Sequence, residues 1–375
     1  MFMEYNTWRE IHQQPRMWLK TYDVVYQMKD QIASFIKRYR NEGYEIVLTG
    51  AGTSAYIGDA LKWVLPGTLL DGAKAIATTD IITEASALFN KDSKVLLISF
   101  ARSGNSPESV GAINLVNRTA GEAAHIFITC NAEGKMTAMA DDARQNTLLV
   151  LLPPETNDLS LAMTSSYSSM FLACSMMANI DKIEEHRSQI EALSEATANA
   201  LAKYSDPISV IAERKFTRAV FLGSGELMGV AEESRLKLQE LTDGTVMCAY
   251  DSFLGFRHGP KAVVSNDSLI VYLLSEDPDT RRYEYDLIRQ IKANNNVKGY
   301  VAVSQSGTVM EPGTFDLSVI IGVPDNVERC YKSVSYVIVA QLLGFYKALS
   351  LERNPDSPSV SGNISRVVEG VTIYA

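Results

Sequence analysis

Two kinds of hydrophobic pattern alternate along this chain. Over the first forty residues, apolar side chains recur every three to four positions, which predicts helices, as at Trp8, Ile11, Val25, Ile32 and Ile36. Beyond them, short apolar runs of strand length alternate with amphipathic segments. Because strands that alternate with helices form right-handed βαβ units, this pattern predicts an α/β fold with parallel sheets.

The strand-like segments occur twice in the same order. The first set is Glu45–Thr49, Val95–Ser99, His125–Cys130 and Thr147–Leu152, and the second is Arg218–Leu222, Ser268–Leu274, Tyr300–Ser304 and Phe315–Gly322. Gly50 and Gly223, which end the first strand of each set, are 173 residues apart. Four elements repeated in one order at a nearly constant offset predict a duplicated domain.

The repeat predicts the organisation of the chain. We expect an N-terminal helical arm (1–40), a first doubly wound domain with a parallel sheet flanked by helices (41–205), a second such domain (206–353) and a turn-rich C-terminal tail (354–375).

One uncharged segment raises the question of a membrane. Residues 159–180 carry no charge, but they include six serines, a threonine and an asparagine. Hydroxyl-rich segments partition weakly into hydrocarbon, so we expect a buried helix and no membrane span. The amino end, MFMEYNTWRE, is acidic and lacks the apolar core of a signal peptide.

Charge and cysteine usage reduce the classes of function that this chain could have. The formal net charge is −9, and an acidic chain without a basic block does not favour nucleic-acid binding. None of the four cysteines forms a Cys-x-x-Cys pair. The sequence therefore predicts neither structural zinc nor a disulfide framework, as is typical of the reducing cytoplasm.

Two loops that follow predicted strands could bind an anion. Gly50-x-Gly52-x-x-Ala55 satisfies a loose dinucleotide fingerprint, but glycines that only permit a tight strand-to-helix turn give the same pattern. Ser103–Pro107 places hydroxyls before a helix start, with Ser106 suited to the N-cap and Pro107 to the next position. Free N–H groups, the helix dipole and serine hydroxyls would form a phosphate cradle. An ordinary capped turn is the alternative.

The corresponding loop of the second half has the opposite charge. Ser275–Asp279 carries three acids that would repel phosphate, so we expect only the first half to hold one. Ser304–Gly307 resembles a phosphate loop in composition, but it lies one strand later in the repeat and predicts a turn.

The second half supplies candidate acid–base groups. In the predicted helix Glu226–Leu241, Lys237 and Glu240 are three residues apart and share one face. The negative end of the helix dipole disfavours the charge of a carboxylate in the last turn, which suits a general base. A solvated salt pair is the alternative. The loop that follows contains Arg257 and His258, although a lone loop histidine is often incidental.

Together these motifs resemble those of the sugar isomerase (SIS) family. The matching segments, in order, are Glu10–Pro15 (EIHQQP), Gly50–Ser54 (GAGTS), Ser103–Ser106 (SGNS), and Leu236–Glu240 (LKLQE) followed by His258–Pro260 (HGP). The resemblance covers nearly the whole chain and implies two tandem SIS domains, as in the isomerase half of glucosamine-6-phosphate synthase. Phrases such as LTGAGTSAYIGD and DSFLGFRHGPK are most similar to the branch that converts galactosamine 6-phosphate into tagatose 6-phosphate and ammonia.

The resemblance also implies roles for individual residues. Glu240 would move a proton between C1 and C2, Lys237 would assist it, and His258 would open the sugar ring. In the synthase the matching histidine comes from the neighbouring subunit, so at least a homodimer is implied. The residues implied in sugar-phosphate binding are Gly52, Thr53, Ser54, Arg102, Ser103, Ser106, Thr164 and Ser165, with Arg257 and Arg366 as further candidates.

Some positions depart from the synthase pattern. The third phosphate hydroxyl of the synthase falls on Ala101, and its C-terminal catalytic lysine falls near Glu369, so Arg366 is the candidate substitute. No glutaminase cysteine precedes Cys130, which favours the catabolic direction. The resemblance implies neither a cofactor nor a metal.

Two other functions stay open at this point. A plain sugar-phosphate ketose/aldose isomerase would act without releasing ammonia. A sugar-phosphate-sensing regulator would keep the phosphate loop and need no pairing of Glu240 with His258, so the presence of both favours an enzyme.

Overall fold

The structure, a computed structural model, describes residues 2–142, 146–294, 296–368 and 370–374. The chain forms two compact units, each built from separate stretches of sequence. Unit 1 comprises Met1–Pro15, Leu159–Ala162 and Glu191–Ile364. Unit 2 comprises Arg16–Asp158, Met163–Ile190 and Ser365–Ala375.

Helices and strands alternate through most of the chain. The helices are α1 (Asn6–Gln27), α2 (Lys29–Asn41), α3 (Thr53–Leu61), α4 (Thr78–Leu88), α5 (Pro107–Thr119), α6 (Lys135–Asp142), α7 (Ser165–Ala178), α8 (Ile183–Ala212), α9 (Glu226–Leu241), α10 (Pro278–Asn294), α11 (Arg329–Lys332) and α12 (Val337–Ser350). The strands are β1 (Glu45–Thr49), β2 (Lys74–Ala75), β3 (Lys94–Ala101), β4 (Glu122–Thr129), β5 (Thr147–Leu151), β6 (Arg218–Gly223), β7 (Met247–Asp251), β8 (Ser268–Leu273), β9 (Gly299–Ser304) and β10 (Leu317–Ile320).

The first sheet belongs to unit 2 and is parallel throughout. Its strand order is β2-β1-β3-β4-β5. Thr49, at the carboxyl end of β1, pairs with Ser99 of β3. All four strands predicted for the first half are present, so the carboxyl ends of β1 and β3 present their loops at one edge of this sheet, where α/β folds bind ligands.

The second sheet, in unit 1, repeats this topology. Its order is β10-β9-β8-β6-β7, which is the order of the first sheet when β6 to β10 replace β1 to β5 according to the repeat. The two strand-to-helix turns have the same backbone, since Gly52 has φ +53° and ψ −128° and Gly225 has φ +59° and ψ −126°. The predicted α/β fold with two tandem parallel sheets is therefore confirmed.

Each sheet packs against helices through its own apolar core. The core of the first sheet includes Val47, Leu97 and Phe127, none more than 1% exposed. The core of the second sheet includes Ile270 and Tyr272, together with two phenylalanines from the segment after β7. The predicted turn at 304–307 is also present, as a short 3₁₀ helix (Gly307–Val309) follows it.

The uncharged segment at 159–180 contributes the helix α7. Every residue of α7 is buried, and the Trp18 Nε1 atom donates to Ser168 Oγ at 2.9 Å. A different helical stretch, Arg329–Ser350, is long and apolar enough to cross a membrane by length and composition, and 89% of its most apolar window is buried inside the structure. Such burial is typical of a core helix.

Candidate functional site

The loop after β3, the predicted anion cradle, leads into α5 with its serine and proline at the predicted positions. Ser106 is the N-cap of α5 and Pro107 is its first residue. Ser106 Oγ bonds the Ser109 hydroxyl at 2.7 Å, and Ser103 Oγ accepts the Asn105 N–H at 3.3 Å. The first N–H groups of a helix have no partner inside the helix, so this loop presents donors together with two half-buried serines.

Gly104 lets the cradle lie close to the neighbouring strand. Its φ is +63°, and a Cβ atom there would lie 3.3 Å from Thr129 Oγ1. Asn131 Nδ2 donates to the Ser103 carbonyl at 2.8 Å. The segment that follows β4 therefore helps to fix the backbone of this loop.

The glycine-rich turn after β1 begins the helix α3. A Cβ on Gly50 would overlap the Ser54 backbone at 2.5 Å, and Gly52 adopts positive φ. Thr53 and Ser54 occupy the first positions of α3 and are each 5% exposed. Both glycines are thus required by the turn itself, and they need no dinucleotide to explain them.

Thr164 and Ser165 lie on a buried carboxylate. Both hydroxyls donate to Asp158, which also accepts the Thr164 N–H at 2.8 Å. Ser166 adds its N–H at 2.9 Å and its hydroxyl at 2.6 Å. Asp158 is 1% exposed and caps the start of α7, where a carboxylate is favourable. The two hydroxyls are therefore engaged within the fold.

The tail connects this carboxylate loop to Arg102. Arg366 donates from Nε and Nη2 to the Asp158 carbonyl at 2.9 Å and 2.6 Å, and from Nη2 to Asn157 Oδ1 at 2.9 Å. The carbonyl of Arg366 in turn accepts a bond from the guanidinium of Arg102. Unit 2 thus brings Arg102, Arg366 and the loop that precedes α7 into one hydrogen-bonded network. Glu369, where the synthase pattern would place a lysine, lies outside the described residues.

The proposed acid–base pair lies on α9 in unit 1. Lys237 Nζ contacts the Glu240 carboxylate at 2.5 Å and the Glu233 carboxylate at 3.1 Å. The side chains of Lys237 and Glu233 are fully buried, whereas that of Glu240 is 14% exposed. The predicted neighbourhood of Lys237 and Glu240 is present, and Glu240 is the member of the cluster that reaches solvent.

Close packing of α12 against α9 explains the burial of this cluster. A Cβ on Gly344 of α12 would lie 3.0 Å from the Lys237 carbonyl and 2.7 Å from Leu241 Cδ1, so a larger residue would crowd α9 at this point. Burial lowers the pKa of Lys237, but the carboxylates of Glu233 and Glu240 oppose this effect and the net pKa lies above its ordinary value of 10.5. Lys237 is therefore a permanent cation beside Glu240.

Glu233 was not predicted from the sequence. It lies four residues before Lys237, a spacing that places both side chains on one helix face and that the sequence alone could have indicated. The sequence pattern did not indicate that Glu233 is buried, because a glutamate on an amphipathic helix is ordinarily solvated.

His258 is an exposed residue of a loop whose aromatic side chains pack into the protein. Phe253 and Phe256 are 1% and 0% exposed and pack into the core of the second sheet. Arg257 is half-buried and His258 is exposed. Among the residues that the structure describes, no hydrogen bond joins His258 to Glu240.

The described part of the chain contains no group of three or more His, Cys, Asp or Glu side chains arranged to hold a metal ion. All four cysteines are unpaired, and Cys130, Cys174 and Cys330 are buried.

Comparisons with known proteins agree with this architecture. The SIS-domain family model matches residues 39–180. D-galactosamine-6-phosphate deaminase AgaS of Escherichia coli O157:H7 is 36% identical over 98% of this chain and 96% of its own length. An isomerising glutamine–fructose-6-phosphate aminotransferase of Pyrobaculum aerophilum is 24% identical over 93% of this chain and 55% of its own length.

A solved structure extends the agreement to the fold. The crystal structure of tagatose-6-phosphate ketose/aldose isomerase from Escherichia coli superposes with a TM-score of 0.88, at 32% identity, covering 99% of this chain and 96% of that one. This chain therefore belongs to the SIS-domain family, among relatives that include the AgaS deaminases.

Proposed function

We propose that this protein is an amino-sugar-phosphate deaminase/isomerase that converts D-galactosamine 6-phosphate into tagatose 6-phosphate and ammonia in the cytoplasm. The names of its full-length relatives supply the substrate. The buried cluster of Glu233, Lys237 and Glu240 is the observation that favours catalysis, because a protein that only senses a sugar phosphate does not need a buried lysine fixed beside a partly exposed carboxylate.

The reaction uses Glu240 as its base. With the sugar ring open, Glu240 removes the proton from C2 and returns it to C1, so that an enolamine forms and then an imine at C2. Water adds to the imine, the C–N bond breaks, and ammonia leaves with the ketose phosphate. Lys237, in contact with the Glu240 carboxylate, stabilises negative charge that develops on the sugar oxygen.

The phosphate is assigned to the cradle of unit 2. Ser54, Ser103, Ser106 and Arg102 hold it, with the first N–H groups of α5 and of α3, where Gly52 and Thr53 shape the turn. Thr164 and Ser165 support the cradle indirectly in this proposal, since their hydroxyls hold Asp158. Arg366 acts in the same way by holding Arg102 through its carbonyl. Phosphate binding supplies remote energy that orients C1 and C2.

Ring opening is assigned to His258 of the partner subunit, with Arg257 beside it. The exposure of His258, and its lack of a hydrogen bond to Glu240 among the described residues, support exchange of this loop between subunits. The active protein is then at least a homodimer, with the loops exchanged symmetrically.

One assay separates the candidate functions. Purified protein is incubated with the 6-phosphates of galactosamine, glucosamine and tagatose, and both ammonia and ketose phosphate are measured. We expect stoichiometric ammonia and ketose phosphate from galactosamine 6-phosphate, retained after exhaustive chelation. Ketose–aldose interconversion without ammonia would instead identify a plain isomerase, and binding without turnover would identify a regulator.

A further inference from the structure

A cavity separate from the site described above lies in unit 1, at the carboxyl edge of the second sheet. Its volume is about 350 Å³, within the range of small-molecule sites. The loops that follow β8, β9 and β10 line it, together with the start of α9. In parallel α/β sheets this edge is where ligands bind, so the cavity occupies a functional position in its own sheet.

The cavity is the counterpart, in the repeat, of the phosphate cradle. Gly225 has the same backbone conformation as Gly52, so Glu226 stands where the first half has Thr53. Glu276 and Asp277 precede the first residue of α10, as the serine loop precedes the first residue of α5. The framework is thus retained, while the hydroxyls that suit an anion are replaced by carboxylates.

The charges on the lining favour a cation. Five carboxylates line the cavity against two basic side chains, Arg329 and Lys332. Arg329 is already neutralised, because its Nε donates to Glu226 Oε1 at 2.6 Å and a second guanidinium N–H reaches the other oxygen. The excess of negative charge opposes a phosphate and attracts an ammonium group.

Two further features of the lining, a fixed carboxylate and a buried hydroxyl, indicate a built site. Glu276 Oε1 is held by the Ser304 hydroxyl at 3.0 Å and by the Gln305 N–H at 3.1 Å, so this carboxylate is fixed in place. Ser333, on the cavity wall, is 2% exposed, and its hydroxyl has no hydrogen-bond partner among the described residues. An unpaired buried hydroxyl is costly, and a hydroxylated ligand would satisfy it.

We propose that this cavity binds a small hydroxylated ammonium ion, specifically an amino sugar that lacks the 6-phosphate. The preference for a hydroxylated cation follows from the lining. The choice of an amino sugar over other such cations rests on the proposed function. The site would let the enzyme respond to the unphosphorylated form of its substrate.

This site is separate from the proposed base. Glu226 and Glu240 lie at opposite ends of α9, 14 residues apart, which is about 21 Å at 1.5 Å per residue. Occupation of the cavity would therefore not block Glu240 directly, and α9 is the element through which the two sites could be coupled.

Calorimetric titration tests the proposal without using turnover. The probes are D-galactosamine, neutral D-galactose and anionic D-galacturonate, titrated into the full-length protein at low ionic strength with and without saturating inorganic phosphate. We expect galactosamine to bind at least tenfold more tightly than the other two sugars, and phosphate to leave its affinity unchanged. Equal affinity for galactose, absence of galactosamine binding, or competition by phosphate would overturn the proposal.

Variants then locate the binding. Glu276→Gln keeps an oxygen for Ser304 and removes the charge, so it should weaken galactosamine binding about tenfold, the factor for loss of one charge-assisted contact. Ser333→Ala should weaken it severalfold. Asp286→Asn is the matched control, since it removes an exposed charge from α10 outside the cavity lining. Unchanged affinity in both cavity variants, each confirmed to be folded by its melting curve, would refute this location whatever the outcome of the ammonia assay.

Discussion

Replacement of Lys237 by methionine tests whether the charge of the buried lysine stabilises the two carboxylates in contact with it. Methionine keeps the unbranched shape of the side chain and removes its charge. The carboxylates of Glu233, which is fully buried, and of Glu240 would then lose the ammonium group that both of them contact. We expect a loss of stability together with a change in how activity depends on pH.

The distances set the size of the effect. Across the 3.1 Å between Lys237 Nζ and Glu233, an effective dielectric constant of about 20 gives an attraction of about 5 kcal/mol. Desolvation of the ions offsets much of it, yet removal of one partner leaves a buried charge unpaired and costs about 3–5 kcal/mol. Because the pKa of Lys237 is raised when the protein folds, this stabilisation is fully present at neutral pH and is lost only as pH rises through the folded-state pKa.

Urea unfolding and a kcat–pH profile measure the two consequences. We expect the Lys237→Met variant to lose about 3–5 kcal/mol at neutral pH, with the deficit shrinking in acid, where a proton on one carboxylate replaces the missing cation. Its kcat should fall by about 10²-fold, and the acid limb of its profile should move to higher pH. Arg282→Met is the control, because Arg282 and Asp279 form an exposed pair that contributes little. A loss below about 1 kcal/mol with an unmoved profile would refute the reasoning.

Ser103→Ala should reduce kcat/KM by the equivalent of about 1–3 kcal/mol, mainly through KM; an unchanged KM for the phosphorylated sugar would remove this loop from the site. Burial raises the pKa of Glu284 from 4.5 to about 7. Between these two pH values the folded state retains a proton that the unfolded state has released. The free energy of unfolding should therefore fall by up to about 3 kcal/mol as pH rises from 4.5 to about 7. Glu284→Gln, followed by urea unfolding, should lack this fall, and parallel profiles for variant and wild type would contradict it. Mixing inactive Glu240→Gln and His258→Asn subunits should restore part of the activity, whereas a mixed oligomer that stayed inactive would show that each subunit uses its own histidine.

The local pattern of the sequence was sufficient for most of the fold. Apolar runs of strand length, separated by turn residues, predict nine of the ten strands, because burial on both faces of a parallel sheet demands continuous hydrophobic sequence. Eight of them belong to the two repeated sets, and the ninth is the run Val246–Tyr250, which corresponds to β7 (Met247–Asp251). The exception is β2 (Lys74–Ala75), whose two residues carry no periodicity. The start of α5 was also predictable, since the preference of serine and proline for the first positions of a helix is local.

The chemistry of the site depended on contacts that no local pattern contains. Glu233 is a buried partner of Lys237, and Gly344, more than one hundred residues later, packs α12 against α9 beside Lys237. The engagement of the Thr164 hydroxyl by Asp158 likewise depends on how the loop after β5 folds back on α7. The sequence identified which residue types were present, and tertiary packing decided which of them were charged, buried or already bonded.

In the proposed mechanism, Glu240 transfers a proton from C2 to C1 and ammonia is then released. The most direct test of this mechanism is the reaction of galactosamine 6-phosphate in D₂O, with ammonia and the C1 protons of the product quantified by NMR for wild type and for Glu240→Gln. We expect one ammonia per ketose phosphate and deuterium at C1 wherever the proton exchanges with solvent. In the variant, we expect a rate lower by about 10²–10⁴ with phosphate binding retained. Ammonia released at the wild-type rate by Glu240→Gln would contradict this mechanism.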